Sequence, residues 1–284
     1  MVQSSETLRK NLLDDLSHAL QGRIELPGFP DIAMRLNMAL REENLSIKDI
    51  VTLINSEPAL VSRLMNLANS AALNTSNVKI SDLKTAVARL GFNMVWSSVS
   101  SFAMIEMQKQ QWLKPVRPWL AEIWLSSNDT AAICYVLARK IRIVSPDEAL
   151  TIGLFHRLGN LWLVAYAQKQ DIDLQANPAW DQIVTEWQPT IGAKIVRKWG
   201  LPDHVAECIE QQDSLAELNA DQGSPYVKLL SAAKLYNTVR DQQGTEQAAA
   251  AAAVLQETNL WGHSFLALVA DCHDDIESMR QSIS

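Results

Sequence analysis

The chain has 284 residues, 48% of them hydrophobic and 20% charged, which suits one large or two modest globular domains with a substantial core. A formal net charge of −7, with no cluster of Lys and Arg, argues against a nucleic-acid partner. No apolar run approaches the ~20 residues that cross a bilayer, and the acid-containing start MVQSSETLRKNLLDDL lacks a secretory core, so a cytoplasmic protein with no membrane partner is expected.

Apolar residues recur at three- and four-residue intervals and strand-like alternation is absent, so the expected class is all-α. A first amphipathic helix is expected over 6–20, ending near Gly22. LPGFPD (26–31) reads as a turn, and Pro30 suits the first turn of a helix carrying Ile32, Leu36, Met38 and Leu40. Ser46 is placed to cap a short helix through Ile50, Leu53 and Ile54. Ser56 is placed to cap the next, with Pro58 near its start, through Leu60, Leu64, Leu67 and Ala68. Ser81 or Asp82 opens a helix that stops at Gly91, and a longer apolar helix follows to about Gln108.

Pro115 and Pro118, in KQQWLKPVRPW, interrupt helix and mark the best boundary between an N-terminal lobe (1–114) and a C-terminal lobe (115–284). A long helix is expected over 119–142, and Pro146 starts another carrying Ala149, Ile152, His156, Leu161 and Val164. Further helices are expected at 178–187, 189–199 and 202–212. After a polar stretch (213–224) come three final ones, and the alanine run 248–253 has the highest helix propensity available.

Chemistry-bearing residues are sparse. Cys134, Cys208 and Cys272 make no CxxC pair and read as small buried hydrophobes. The nine tryptophans sit at core and boundary spacings. Of the five histidines, His18 lies in the first helix of the N-terminal lobe and His263 and His273 lie near the C-terminus; Asp203 is adjacent to His204 and Asp271 two residues from His273, spacings that do not share a helix face. Gly-rich phosphate loops, GxSxG and a catalytic Cys setting are all missing. That leaves GLFHRLG (153–159), in which Arg157 follows His156; a guanidinium has donors only and cannot ligate a cation.

Residues 26–212 resemble the HDOD family, helical regulatory modules related to HD-type phosphohydrolases. LPGFPD with Pro27 and Pro30, then IVTLINSEPALVSRLMNLANSA (50–71), then ISDLKTAVARLG (80–91) follow the order of the family's proline turn, helix pair and later helix. Glu57 stands for the usual Asp before Pro58, and Asn69, Ser70 and Gly91 are the other signature residues, expected to be structural. IWLSSNDTAA (123–132), GLFHRLG, TEWQPTIGAKIVRKWGLPDHVAECIEQQ (185–212) and LLSAAKLYN (229–237) resemble the HD-like half.

In metal-bearing relatives of that half a His-Asp pair, further histidines and a later Asp hold a divalent ion that activates water. The resemblance places the first histidine on Ser126, the pair on His156 and Arg157, the next histidine near Gln188, the His-His pair on Gln211 and Gln212, and the later Asp on Lys234. One imidazole without a carboxylate does not hold a catalytic ion. The resemblance therefore implies a multi-helix fold with an N-terminal lobe on an HD-like lobe, a degenerate metal site, and no catalytic residue, metal or cofactor. It implies signal transduction through a protein partner, the chain acting as a separate module with nothing fused to it. Arg157 and Lys234 could instead pair with local acids or take a small anionic ligand. The alternative is a metal-dependent phosphohydrolase of a nucleotide or phosphodiester.

Overall fold

The computed structural model describes residues 46–283 except 72, 75–77, 175–179, 215–217 and 219–222, together with 26, 27, 29, 30, 34–36 and 39. The helix expected at 6–20, with His18, and the positions Ile32, Met38 and Leu40 lie outside the described residues. Phe29 N donates to the Leu26 carbonyl at 3.1 Å, closing the expected proline turn.

Helix α1 (Ile47–Ile54) starts as expected: Ser46 Oγ accepts from Asp49 N at 3.3 Å and Asp49 Oδ2 accepts from Ser46 N at 3.0 Å. In α2 (Pro58–Asn69) the cap position is taken by Glu57 rather than Ser56, whose hydroxyl donates back to the Leu53 carbonyl at 2.8 Å. The reason is local: Pro58 occupies the first helical position and drives the residue before it out of the helical region. Helix α3 (Leu83–Gln108) is capped by Asp82 Oδ1, 2.8 Å from Thr85 N, and its two expected segments meet at Gly91, where φ is +75°.

The proline segment interrupts helix, as expected. A 3₁₀ turn (Gln111–Val116) contains Pro115, and α4 (Arg117–Ile141) begins at once with Pro118 in its first turn, where a missing N–H costs nothing. Arg142 ends α4 at φ +61°.

The helix predicted to run on from Pro146 is instead two, α5 (Pro146–Phe155) and α6 (Leu158–Lys169), parted at His156 and Arg157. At that break the His156 carbonyl is bound by Gln212 Nε2 at 2.8 Å, so a tertiary bond serves an acceptor left at the end of α5. Conversely, the two helices predicted on either side of Pro189 are one, α7 (Trp180–Lys198). Pro189 removes one backbone donor and crowds the carbonyl four residues before it, and the segment is held from outside by α6 and by α8 (Asp203–Glu210).

The last part holds four helices rather than three: α9 (Pro225–Asp241), α10 (Glu246–Glu257), α11 (Phe265–Asp271) and α12 (His273–Ile283). Between α10 and α11 is a hairpin of β1 (Asn259–Leu260) and β2 (His263–Ser264), turned by Trp261 and Gly262 at φ +52° and +84°. Two residues per strand are too few for alternation to register in the sequence.

One buried apolar cluster runs from Leu26 to Ile283 through both halves. Helix α3 meets α5 across a buried Ser97 Oγ–Thr151 Oγ1 pair at 2.9 Å. The C-terminal helices are tied to α4 by Arg240 and Arg280, both on Asp129, and by Asn237 Nδ2 donating to Thr130 Oγ1 at 2.9 Å. The three cysteines are buried, as expected, and Trp96, Trp124 and Trp162 lie in the core. Among the described residues no helix is long and apolar enough to cross a membrane.

Candidate functional site

The break between α5 and α6 places GLFHRLG at a crossing of four helices. Its two glycines are contact points. A Cβ on Gly153 would stand 2.5 Å from Ala131 Cα in α4, and one on Gly159 would stand 2.7 Å from the Gln188 carbonyl carbon in α7. Backbone therefore touches backbone on both sides of His156.

His156 is buried, with Nδ1 2.7 Å from the Gly153 carbonyl oxygen. A carbonyl only accepts, so Nδ1 carries the proton. Burial, followed by the positive charge of Lys234 and then of Arg157, holds the imidazole well below its ordinary pKa of 6.5, while the Gly153 bond opposes this. The ring is neutral at physiological pH.

Gln212, also buried, organises what lies around the ring. Its Nε2 donates to the carbonyls of His156 (2.8 Å) and Ile209 (2.7 Å), and its Oε1 accepts from Lys234 Nζ at 2.9 Å. Lys234 also donates to Asp213 Oδ1, and Ser231 Oγ donates to the Gln212 carbonyl at 3.2 Å. Burial pulls the Lys234 pKa down and Asp213 pulls it back up. Arg157 reaches Glu122 of α4 with Nη1–Oε1 at 3.6 Å, a loose pair because Glu122 is 69% exposed.

Of the positions carried over from the family, His156, Arg157, Gln212 and Lys234 thus come together. Ser126 is half-buried on α4, one turn beyond Glu122, and its carbonyl accepts from Thr130 Oγ1 at 2.9 Å. Gln188 is buried beside Gly159, and its Oε1 takes no hydrogen bond among the described residues. Gln211 is exposed at the end of α8 and has no part in these bonds. Sequence reasoning missed the acids Glu122 and Asp213; the only signal for Glu122 was its helical spacing of four from Ser126.

An imidazole, two amides, a guanidinium and an ammonium make a donor set that does not suit a divalent cation: the two fixed cations would repel it. Among the described residues no group of three or more His, Cys, Asp or Glu could hold a metal. Elsewhere, His204 stacks on Tyr226 with centroids 5.5 Å apart and stands 3.4 Å from Glu148 Oε2, while His263 and His273 are exposed.

Of the signature residues expected to be structural, Asn69 is bonded to backbone on both sides of the turn that follows α2. Asn69 Nδ2 donates to the carbonyls of Met65 and Ile80, both at 2.9 Å, and Oδ1 accepts from Ile80 N at 2.8 Å. Ser70 does not bond locally through its side chain, whose buried Oγ has no partner among the described residues. Glu57 makes no capping bond with its side chain, and Pro27 and Pro30 flank Phe29, which stacks on Trp199 at 4.8 Å.

The neutral buried imidazole has a pH consequence. With a folded pKa below the unfolded 6.5, the unfolded chain takes up a proton that the native state refuses as pH falls below 6.5. Stability is thus full above 6.5 and declines beneath it, by up to about 1.4 kcal/mol per pH unit until the lower folded value is reached. Urea unfolding of wild type and His156→Gln through a pH series will show a shallower acid slope in the variant. Equal slopes would contradict the buried neutral ring.

Residues 26–215 match the family model described as HDOD domain. A protein of Treponema pallidum (strain Nichols), uncharacterised by name, is 25% identical over 219 residues, which are 70% of this chain and 40% of that protein. The chain therefore spans less than half the length of the curated relative it matches. A crystal structure from Shewanella amazonensis SB2B, named as a candidate metal-dependent phosphohydrolase, superposes with a TM-score of 0.71 at 23% identity, covering 97% of this chain and 99% of that one. An HDOD domain protein of unknown function from Geobacter sulfurreducens superposes with a TM-score of 0.59 at 18% identity, covering 100% and 98%. A candidate signal transduction protein from Marinobacter aquaeolei VT8 gives 0.56 at 21%, covering 95% and 65%. At these identities the likeness speaks for the fold alone.

Proposed function

The chain belongs to the HDOD domain family, and from that premise we propose that it is a non-catalytic, cytoplasmic regulatory module that works by recognising a signalling protein. The observation that supports this reading is that the positions the resemblance assigns to metal ligands hold Ser126, Arg157, Gln188, Gln211, Gln212 and Lys234, with His156 as the one ligand type among them. Around that histidine Gln212 and Lys234 spend their polar groups on the protein's own backbone and on Asp213. A side chain that closes the fold in this way is not free to bind a metal or water.

Arg157 and Lys234 also suit a small anion, since Arg157 is paired only loosely, with the exposed Glu122 at 3.6 Å. Phosphate or a nucleotide that binds only the native state must stabilise it, by about 2.7 kcal/mol at a hundredfold excess over Kd. The test is to titrate the protein with Mn²⁺, Fe²⁺, Mg²⁺ and Zn²⁺, assay hydrolysis of nucleotides and a phosphodiester, and follow melting with phosphate and nucleotides. We expect no turnover and no stoichiometric metal. A melting rise with the anions that is lost in Arg157→Ala supports the anion; no rise at millimolar ligand removes it. Bound metal, with turnover abolished by His156→Ala, would instead make the protein a phosphohydrolase.

A further inference from the structure

A cleft of about 250 Å³ opens where α3 faces the α7–α8 corner, lined by Phe92, Asn93, Trp96, Glu148, Thr151 and Trp199 among others. Its aromatic base is built tightly. Trp96 and Trp199 lie edge to face at 6.0 Å, and each meets Phe155 edge-on, at 5.0 and 5.6 Å. Phe92, also a lining residue, is 39% exposed just past the Gly91 kink. The lining is therefore split between aromatic rings and a few polar groups.

Among the described lining residues Glu148 has the only charged side chain. Its carboxylate is held in place: Oε2 accepts from Tyr226 Oη and stands 3.4 Å from His204 Nε2, and Tyr226 Oη in turn accepts from Ser145 N at 3.1 Å. His204 stacked on Tyr226 stiffens this support. Oε1 takes no hydrogen bond among the described residues and so remains available for a donor.

A fixed carboxylate over aromatic walls repels anions and attracts an organic cation, and the net charge of −7 adds to that attraction. Among biological cations the guanidinium group fits best. It is planar and weakly hydrated, stacks on aromatic faces, and donates to a carboxylate while its aliphatic stem lies against apolar surface. An ammonium group is more strongly hydrated and leaves aromatic walls poorly used. We propose that this cleft takes an arginine side chain presented by an extended segment of a partner protein. The proposal rests on the recognition role above and supplies the chemistry of the partner.

The test uses the full chain, nitrogen-labelled, with its tryptophan indole N–H resonances as the readout. The probes are a short capped Gly/Ser peptide with one central arginine, the same peptide with citrulline or lysine, and L-arginine amide. Saturable shifts of the Trp96 and Trp199 indoles, assigned with Trp→Phe variants, are expected with the arginine peptide. Citrulline, which keeps the shape and loses the charge, should bind about tenfold more weakly. Glu148→Gln should lose a similar factor, and the exposed Phe92→Ala a smaller one. The citrulline comparison is made on wild type, so it holds even if a variant misfolds. Equal binding of citrulline, or no saturable shift, overturns the proposal; L-arginine amide binding as tightly as the peptide overturns the protein partner in favour of a small molecule. Metal-dependent turnover, by contrast, would remove the regulatory reading without changing these titrations.

Discussion

Gly159→Ala is expected to destabilise the protein by about 3–5 kcal/mol, a large part of the stability of an ordinary domain. The added Cβ would stand 2.7 and 2.8 Å from the carbonyl carbon and Cα of Gln188 and nearer still to the carbonyl oxygen. All three are backbone atoms of a long helix, so the clash cannot be relieved by rotating a side chain; α6 and α7 must move apart. Gly192, on the other side of the same crossing, supplies the contrast. Its added Cβ would meet Ile209 Cγ2 at 3.1 Å and Gly159 N at 3.3 Å, and the isoleucine can shift by a few tenths of an ångström. Urea unfolding should therefore place Gly192→Ala near 1 kcal/mol, well above Gly159→Ala in stability. Similar midpoints for the two variants would mean that the helices do not cross at this pair.

Asn69→Ala is expected to cost about 2–3 kcal/mol, the second large effect. The side chain closes the end of α2 against Ile80 with three hydrogen bonds, two of them to the backbone of a residue that is 5% exposed. Alanine would strand the Ile80 N–H and carbonyl in a setting where water replaces the amide poorly, which is costlier than losing a bond whose partners are both removed. The measurement is the thermal and urea midpoint of the variant, together with binding of whatever partner a pull-down from the native cell identifies. An unchanged melting temperature with lost partner binding would move Asn69 from a structural to a contact role.

How far these features can be read from sequence depends on their range. The Ser46 cap, a helix start at Ser81 or Asp82, the start at Pro146 and the interruption at Gly91 were legible, because each is decided within four residues. One error has a local cause and another a tertiary one. Ser56 is a good capping residue, yet Pro58 passes the cap to Glu57; Pro189 is a helix breaker, yet packing against α6 and α8 carries α7 through it. The hairpin at 259–264 was too short to show a period.

For the candidate site, residue identity and family resemblance pointed to His156, Arg157, Gln212 and Lys234 and to their poor match with a metal. Which of them act together was not visible. Gln212 binds the carbonyl of His156 across 56 residues of chain and receives Lys234 across 22, while Gln211, its immediate neighbour, faces solvent. Glu122 and Asp213, which partner the two cations, carried no motif.

The sequence alone determined the helical class, most helix starts and stops, and the family, since these depend on residue type and on spacing within a turn or two. Only the tertiary structure decided where the Pro146 helix breaks, which of two adjacent glutamines is buried, and that Gly153 and Gly159 are backbone contacts on either side of His156. Those outcomes depend on which groups meet across the core, where a bond or a clash with a distant helix outweighs local preference.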